Sequence, residues 1–200
     1  MKKLFCLILV LICFGTAAMA ESVPSKSTAD MVETVEITTE AGVAAPDLVI
    51  APVVDAVVYQ QKVEICQNEI NKLAESATVE EYFGEVKDSE GNAVSIKEVL
   101  EAQNLTVNEF MPVIVDNYDE SYGKVTVNFK LSTPYNWNEK VVVLIGIVNA
   151  ETEEVEWTMF DGIGTMEGNL AVEFTPEILA AIQRSDALMA VASNADAVVE

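Results

Sequence analysis

The chain has 200 residues, of which 11 are Lys or Arg and 33 are Asp or Glu, so its formal net charge is −22; it contains no His. A field of this sign repels nucleic-acid phosphates and anionic lipids, so we expect neither as a partner. The absence of His excludes Ser-His-Asp and Cys-His catalysis and every His-ligated metal site.

The first twenty residues are typical of a secretory signal peptide. Two lysines precede an apolar run over residues 4–14, and Ala18-Met19-Ala20 is a small-x-small cleavage site. The apolar run is too short for a stable membrane span, although an uncleaved anchor is the alternative. We expect cleavage after Ala20, which would give a secreted, extracellular bacterial protein with no integral membrane segment.

Cleavage would remove Cys6 and Cys13 and leave Cys66 as the single cysteine, so no internal disulfide could form. Small exported domains often depend on disulfides, so this one must depend on its core. Residues 21–57 form an acidic stretch that contains Thr, Ala and Pro, lacks aromatic residues and shows no lasting period. We expect a tether there, with a short strand within residues 47–58 as the one exception.

A helical period begins at Tyr59. Apolar residues recur at steps of three and four as far as Leu73, which predicts an amphipathic helix over residues 58–77. Cys66 lies on the apolar stripe of this helix. Because no His or basic cluster is available to activate its thiol, we interpret it as a small buried hydrophobic residue and not as a nucleophile.

Three helix starts share one signature, a Ser or Thr followed three residues later by Glu. They are Thr78–Glu81, Ser95–Glu98 and Thr106–Glu109. In such a capping box the hydroxyl accepts a hydrogen bond from the third amide, so the pattern predicts three short helices between residues 78 and 112. Residues 88–92 predict a turn between two short strand-like segments.

After Tyr122 the apolar period changes to two, as in a strand with one dry face. The predicted strands are residues 125–131, 141–148, 154–159, 170–174 and 187–193. The second of these is apolar on both faces and should be central. Thr175-Pro176 predicts the start of a short helix before the last strand.

We therefore predict one globular, mainly β domain over residues 78–194, followed by a C-terminal tail at residues 195–200. Its predicted fold is an Ig-like antiparallel β-sandwich with several short helices, because many short strands are separated by turns. The helices that precede the strands leave an α+β arrangement as the alternative.

Several segments of this domain resemble an uncharacterised exported domain of Gram-positive gut-type bacteria. They include TVEEYFG, GNAVSIKEVL, NEFMPVIV, VVVLIGI, VEWTMFDG and the stretch from GNLAVEFTPEIL to ALMAVAS. The resemblance covers residues 78–193 and leaves the leader and the tether outside it. It implies an exported location and the limits of the domain, but no activity, because none of the segments is a known catalytic motif.

Gly162, Gly164 and Gly168 have a G-x-G-x-x-x-G spacing that raises the question of a phosphate-binding loop. Such a loop leads from a strand into a helix whose first amides meet the phosphate. Here a strand pattern follows Gly168, and the segment offers no Lys or Arg. We interpret Asp161-Gly162 and Glu167-Gly168 as turn dipeptides of a hairpin.

Carboxylates are the remaining source of chemistry. The loop that begins at Asp88 lacks the Gly and the Glu that an EF-type calcium loop needs at positions six and twelve, so we predict solvated acidic turns, no metal and no cofactor. Two carboxylates can suffice for a glycoside hydrolase. No pair stands out among the 33 acidic residues, so a small His-free carboxylate-dependent glycoside hydrolase is the alternative function.

The favoured prediction is an exported non-catalytic binding or structural module, not an enzyme, at or outside the bacterial cell surface. Its ligand would be a glycan or a protein. The predicted ligand-binding residues are Tyr135, Asn136, Trp137 and Asn138, because two aromatic rings lie there in a polar turn between strands. The alternative is that the rings fold back as a lid on the sandwich edge.

Overall fold

The computed structural model describes residues 33–40, 42–53, 57–132 and 134–194. The strands are β1 (Glu33–Thr39), β2 (Val49–Pro52), β3 (Val86–Asp88), β4 (Ala93–Val94), β5 (Thr106–Asp116), β6 (Val125–Lys130), β7 (Lys140–Val148), β8 (Val155–Gly164), β9 (Leu170–Phe174) and β10 (Ala187–Ser193). The α-helices are α1 (Gln60–Glu75), α2 (Val79–Phe83), α3 (Ile96–Gln103) and α4 (Pro176–Arg184). The predicted leader (residues 1–20) and tail (residues 195–200) lie outside the described residues.

The strands form one curled sheet in the order β1-β6-β9-β8-β7-β10-β5-β2. Every neighbouring pair along this path is antiparallel, and only the short β3 pairs in parallel, with β8. The two edge strands approach each other, because the Thr34 hydroxyl donates a hydrogen bond to the Ile50 carbonyl. The fold is thus mainly β and antiparallel with a few short helices, as predicted, and the two halves of the sheet face each other as in a sandwich.

The inner core lies on the concave face of this sheet. Along β6 the side chains of Val125, Val127 and Phe129 are buried there, while those of Thr126 and Asn128 point outward, which is the predicted alternation. The inner core also takes side chains from β2, β5, β7, β8, β9 and β10, and α4 closes one end of it with Ile178, Leu179 and Ile182.

The outer core lies on the opposite face of β5, β7, β8 and β10, under α1, α2 and α3. Alternate residues of the same strands contribute to it, so that Val142 and Leu144 of β7 belong to the outer core while Val143 belongs to the inner one. Trp157 is buried here, 4.9 Å from the Phe83 ring centroid in an edge-on contact. The helical layer gives the fold its α+β character.

The predicted helix starts at Thr78, Ser95 and Thr175 are confirmed, because each hydroxyl caps its helix. The helix predicted after Thr106 is wrong. Asn104 ends α3 in the left-handed conformation at φ 52°, and residues 106–116 form β5. Residues 110–115 of this strand are apolar on both faces. A strand between the two cores buries both faces, whereas a helix at this place would leave one of them in solvent.

The tether prediction is wrong from residue 33 to residue 53. β1 pairs with β6 and β2 pairs with β5, so both belong to the folded sheet. The composition of β1 is polar because β1 is an edge strand that leaves most of its side chains in solvent. The short strand expected within residues 47–58 is confirmed as β2. Among the described residues, no helix has the length and apolar character to span a membrane.

Candidate functional site

The turn between β6 and β7 separates the predicted site residues. Tyr135 is only 3% exposed and belongs to the inner core, so its assignment as a ligand-stacking ring is wrong. Trp137, two residues later, is 68% exposed. Tyr135 therefore folds back onto the domain, as the alternative expected, whereas Trp137 does not, because the turn directs the two side chains to opposite sides of the chain.

The same turn is fixed by its own polar groups. The Glu139 carboxylate accepts hydrogen bonds from the Asn136 amide N–H at 2.9 Å and from its side chain at 3.2 Å. Asn138 has φ 62°, a left-handed conformation that Asn tolerates better than most residues. Both Asn side chains are exposed beside Trp137, so three of the four predicted residues lie at the surface.

A second turn, between β8 and β9, is tied to the first. The Asn138 N–H donates to the Gly164 carbonyl at 2.9 Å, and the Tyr135 N–H donates to the Gly168 carbonyl at 3.0 Å. Ile163 and Met166 of this second turn region are also exposed. We call Trp137, Ile163 and Met166, with the flanking Asn136 and Asn138, the two-turn surface. It gathers three large exposed apolar side chains on backbone that is held by hydrogen bonds.

The glycine-rich segment explains how the turns approach so closely. A Cβ on Gly164 would lie 2.0 Å from the Asn136 carbonyl oxygen, and one on Gly162 would lie 2.7 Å from Leu170 Cδ1. Both glycines are inside β8, so the prediction of a turn at Asp161-Gly162 is wrong. The turn at Glu167-Gly168 is confirmed, with Gly168 at φ 80°. The segment thus leads into strand β9, as predicted.

A buried polar cluster underlies the two-turn surface, and the sequence pattern did not indicate it. The Tyr135 hydroxyl donates to Glu109 Oε1 at 3.5 Å, and Glu109 is only 1% exposed. The Asn108 side-chain amide donates to Ser193 Oγ at 2.5 Å. Burial and the Glu109 charge raise the pKa of Tyr135, so this hydroxyl stays protonated and can donate.

A groove of about 1070 Å³ lies on the other side of the molecule, between α1 and α2 and the first residues of β8. At its floor Glu69 is 6% exposed and accepts hydrogen bonds from Lys72 Nζ at 2.6 Å and from Tyr82 Oη at 3.0 Å. Burial and Glu69 raise the pKa of Tyr82. The sequence pattern does not indicate this groove; its one local signal is a Glu next to the apolar stripe of α1.

The remaining candidates have structural partners. Cys66 is buried in the outer core, as predicted, and burial together with the Glu69 charge raises its pKa to about 12. The Asp88 carboxylate accepts from the Glu90 and Asn92 amides of its own turn, which, with the Asn92 side chain, lowers its pKa. In the part of the chain that the structure describes, no group of three or more His, Cys, Asp or Glu is arranged to hold a metal ion.

Comparisons of this chain with protein-family models, with curated proteins and with solved structures found no match. The resemblance to an exported bacterial domain therefore stays a prediction.

Proposed function

We propose that this chain is an exported, non-catalytic binding module that acts at or outside the bacterial cell surface through the two-turn surface. The observation that carries the proposal is the exposure of Trp137 on a turn held in place by backbone hydrogen bonds. An exposed Trp loses water-accessible area on binding at little entropic cost when its backbone is already fixed.

The neighbours of Trp137 favour a protein as the ligand. A glycan platform would combine flat rings with polar groups, and burial of Tyr135 leaves only one ring available. Ile163 and Met166 add aliphatic and thioether surface, which packs against apolar side chains of a partner. Asn136 and Asn138 supply amides at the rim.

The test compares the purified protein with its Trp137→Ala variant on a glycan array and in an affinity pull-down. We expect binding to be lost in the variant while the melting temperature is unchanged, because an exposed ring contributes little to folding. Glu101→Gln, on the exposed face of α3, is the matched control and should bind as the parent does. Equal binding by the parent and by Trp137→Ala would contradict the proposal, and glycan binding alone would change the ligand class.

The alternative, a His-free carboxylate glycoside hydrolase, has less support. Within the described residues the buried carboxylates are Glu69 and Glu109, and each bonds to a different Tyr, on opposite faces of the sheet. Two acids that flank a glycosidic bond would have to face one cleft. Sustained release of sugar from a polysaccharide panel, lost on replacement of one specific acid, would reverse this preference.

A further inference from the structure

The methionines of the folded domain differ sharply in their access to solvent. Met166, in the turn between β8 and β9, is 79% exposed. Among the described residues the other methionines are Met111 and Met189, which are fully buried, and Met159, which is half-buried against the outer core. A thioether is oxidised only when the oxidant reaches its sulfur, so this difference decides which methionine reacts first.

Hydrogen bonds of the turn keep Met166 at the surface. The Gly168 N–H donates to the Thr165 carbonyl at 3.1 Å, and the Thr165 N–H donates to the Asn169 carbonyl at 2.8 Å. The Asn169 N–H also donates to the Thr165 hydroxyl at 3.1 Å. Met166 is thus the second residue of a closed four-residue turn, and its side chain cannot reach either core unless these bonds break. Its exposure is therefore a property of the fold.

The position of Met166 gives its oxidation a consequence for the two-turn surface. With Trp137 and Ile163 it supplies the three large apolar side chains of that surface. Oxidation turns the flexible apolar thioether into a polar sulfoxide, whose oxygen accepts hydrogen bonds from water. An apolar group that packs on the sulfoxide would have to remove this water without replacing its hydrogen bonds, which costs free energy.

We propose that Met166 is a site of oxidative modification by hydroperoxides, and that its oxidation lowers the affinity of the two-turn surface for apolar groups. With hydrogen peroxide, the Met166 sulfur attacks one oxygen, an S–O bond forms and the O–O bond breaks. The sulfur loses two electrons, and the other oxygen takes both protons and leaves as water. The loss of partner binding that would follow rests on the proposed function, whereas the oxidation and the change in polarity do not.

The first measurement is the rate at which hydrogen peroxide oxidises each methionine of the purified protein, followed by peptide mass spectrometry. We expect the sulfoxide of Met166 to form about tenfold faster than those of Met111, Met159 and Met189, because susceptibility follows exposure. In urea-unfolded protein the four rates should be equal, which controls for intrinsic reactivity. Equal rates in the folded protein would overturn the proposal.

The second measurement is retention on phenyl-agarose, an apolar matrix, before and after the same treatment. The oxidised parent should elute earlier at an unchanged melting temperature, because the modified sulfur lies outside both cores. Met166→Leu removes this sulfur at similar volume, and Met159→Leu is the matched control; each is compared with its own untreated sample. The shift should vanish in Met166→Leu and persist in Met159→Leu. A shift that persists in Met166→Leu, or no shift in the parent, would overturn the proposal.

These measurements are independent of the binding test for Trp137. Selective oxidation with earlier elution, together with equal partner binding by the parent and by Trp137→Ala, would support the Met166 site and contradict the proposed function. Loss of partner binding in Trp137→Ala without selective oxidation of Met166 would contradict the Met166 site alone.

Discussion

The inner and outer cores lie on opposite faces of the same strands but differ in what closes them. The inner core is enclosed by the curled sheet and by α4, and its largest side chains, such as Phe129 in β6 and Phe174 in β9, are fully buried. The outer core is covered by three helices that leave a groove at their border. Buried ionisable groups occur at both cores: Tyr135 of the inner core bonds to Glu109, whereas Cys66, Glu69 and Tyr82 meet in the outer core beside the groove. The groove forms because the helices cover the outer face of the sheet incompletely.

The first prediction breaks the inner core. Phe129→Asp should abolish cooperative unfolding, because an unpaired buried carboxylate costs several kcal/mol, about the whole stability of a domain this size. The neighbouring Asn128 points outward and donates to the Glu36 carboxylate at 3.0 Å. Asn128→Asp should therefore cost no more than about 1 kcal/mol, from one exposed like-charge contact. Urea unfolding followed by Trp fluorescence measures both, and equal losses would contradict the assignment of faces.

The second prediction compares the cores with one substitution, Gly to Ala. At Gly164 the new Cβ would meet the Asn136 carbonyl oxygen at 2.0 Å, a backbone atom that two hydrogen-bonded turns hold in place. At Gly146 it would meet the Trp157 ring edge and Val155 Cγ1 at 2.6 to 2.8 Å, in the helix-covered outer core. We expect a loss of about 3 kcal/mol for Gly164→Ala and about 1 kcal/mol for Gly146→Ala.

Thermal unfolding of the two Gly variants gives the measurement. Gly164→Ala should also displace the turn that carries Trp137 and change its fluorescence, which a Trp157→Phe background isolates. A larger loss of unfolding free energy at Gly146 than at Gly164 would contradict this ranking. It would mean that the helical layer yields less to an added methyl group than the two hydrogen-bonded turns do.

The sequence predicts the strands in the middle of the sheet well and the strands at or next to the edges of the sheet poorly. β6 has a clear period of two and β7 is apolar throughout, so local pattern and tertiary role agree. In β5 they disagree: Thr106 and Glu109 imitate a capping box, whereas the buried Glu109 faces Tyr135. β1 carries little apolar signal because it gains its stability by pairing with β6.

The two-turn surface was predictable only in part, because here too the local sequence pattern does not determine which side chains are buried. An aromatic ring in a polar turn is a signal that applies equally to Tyr135 and Trp137, and only the approach of a distant turn at Gly164 and Gly168 decides which ring is buried. The groove between α1, α2 and β8 was not predictable, because α1 and β8 are far apart in the sequence and come together when the outer core forms.

The smallest expected effect concerns pH and belongs to the outer core. Burial, with the Glu69 charge, raises the pKa of Cys66 from 9.0 to about 12, so the folded protein keeps the thiol protonated where the unfolded chain would ionise it. The stability that this thiol contributes is therefore complete below pH 9 and is lost as the pH rises towards 12. The slope is about 1.4 kcal/mol per pH unit once the unfolded thiol has ionised.

Cys66→Ala should flatten the fall in unfolding free energy between about pH 8 and pH 10. The tyrosines of the unfolded chain begin to ionise in the same range, but they are present in both the parent and the variant, so the difference between the two curves reports the thiol. The variant should be less stable than the parent at pH 7, because it leaves a small cavity in the outer core, yet lose less stability as the pH rises. Urea unfolding at a series of pH values separates the two effects, since packing shifts the curve and ionisation changes its slope. An unchanged slope would mean that the thiol ionises as readily in the folded protein as in the unfolded chain, and that the outer core admits water where the inner core does not.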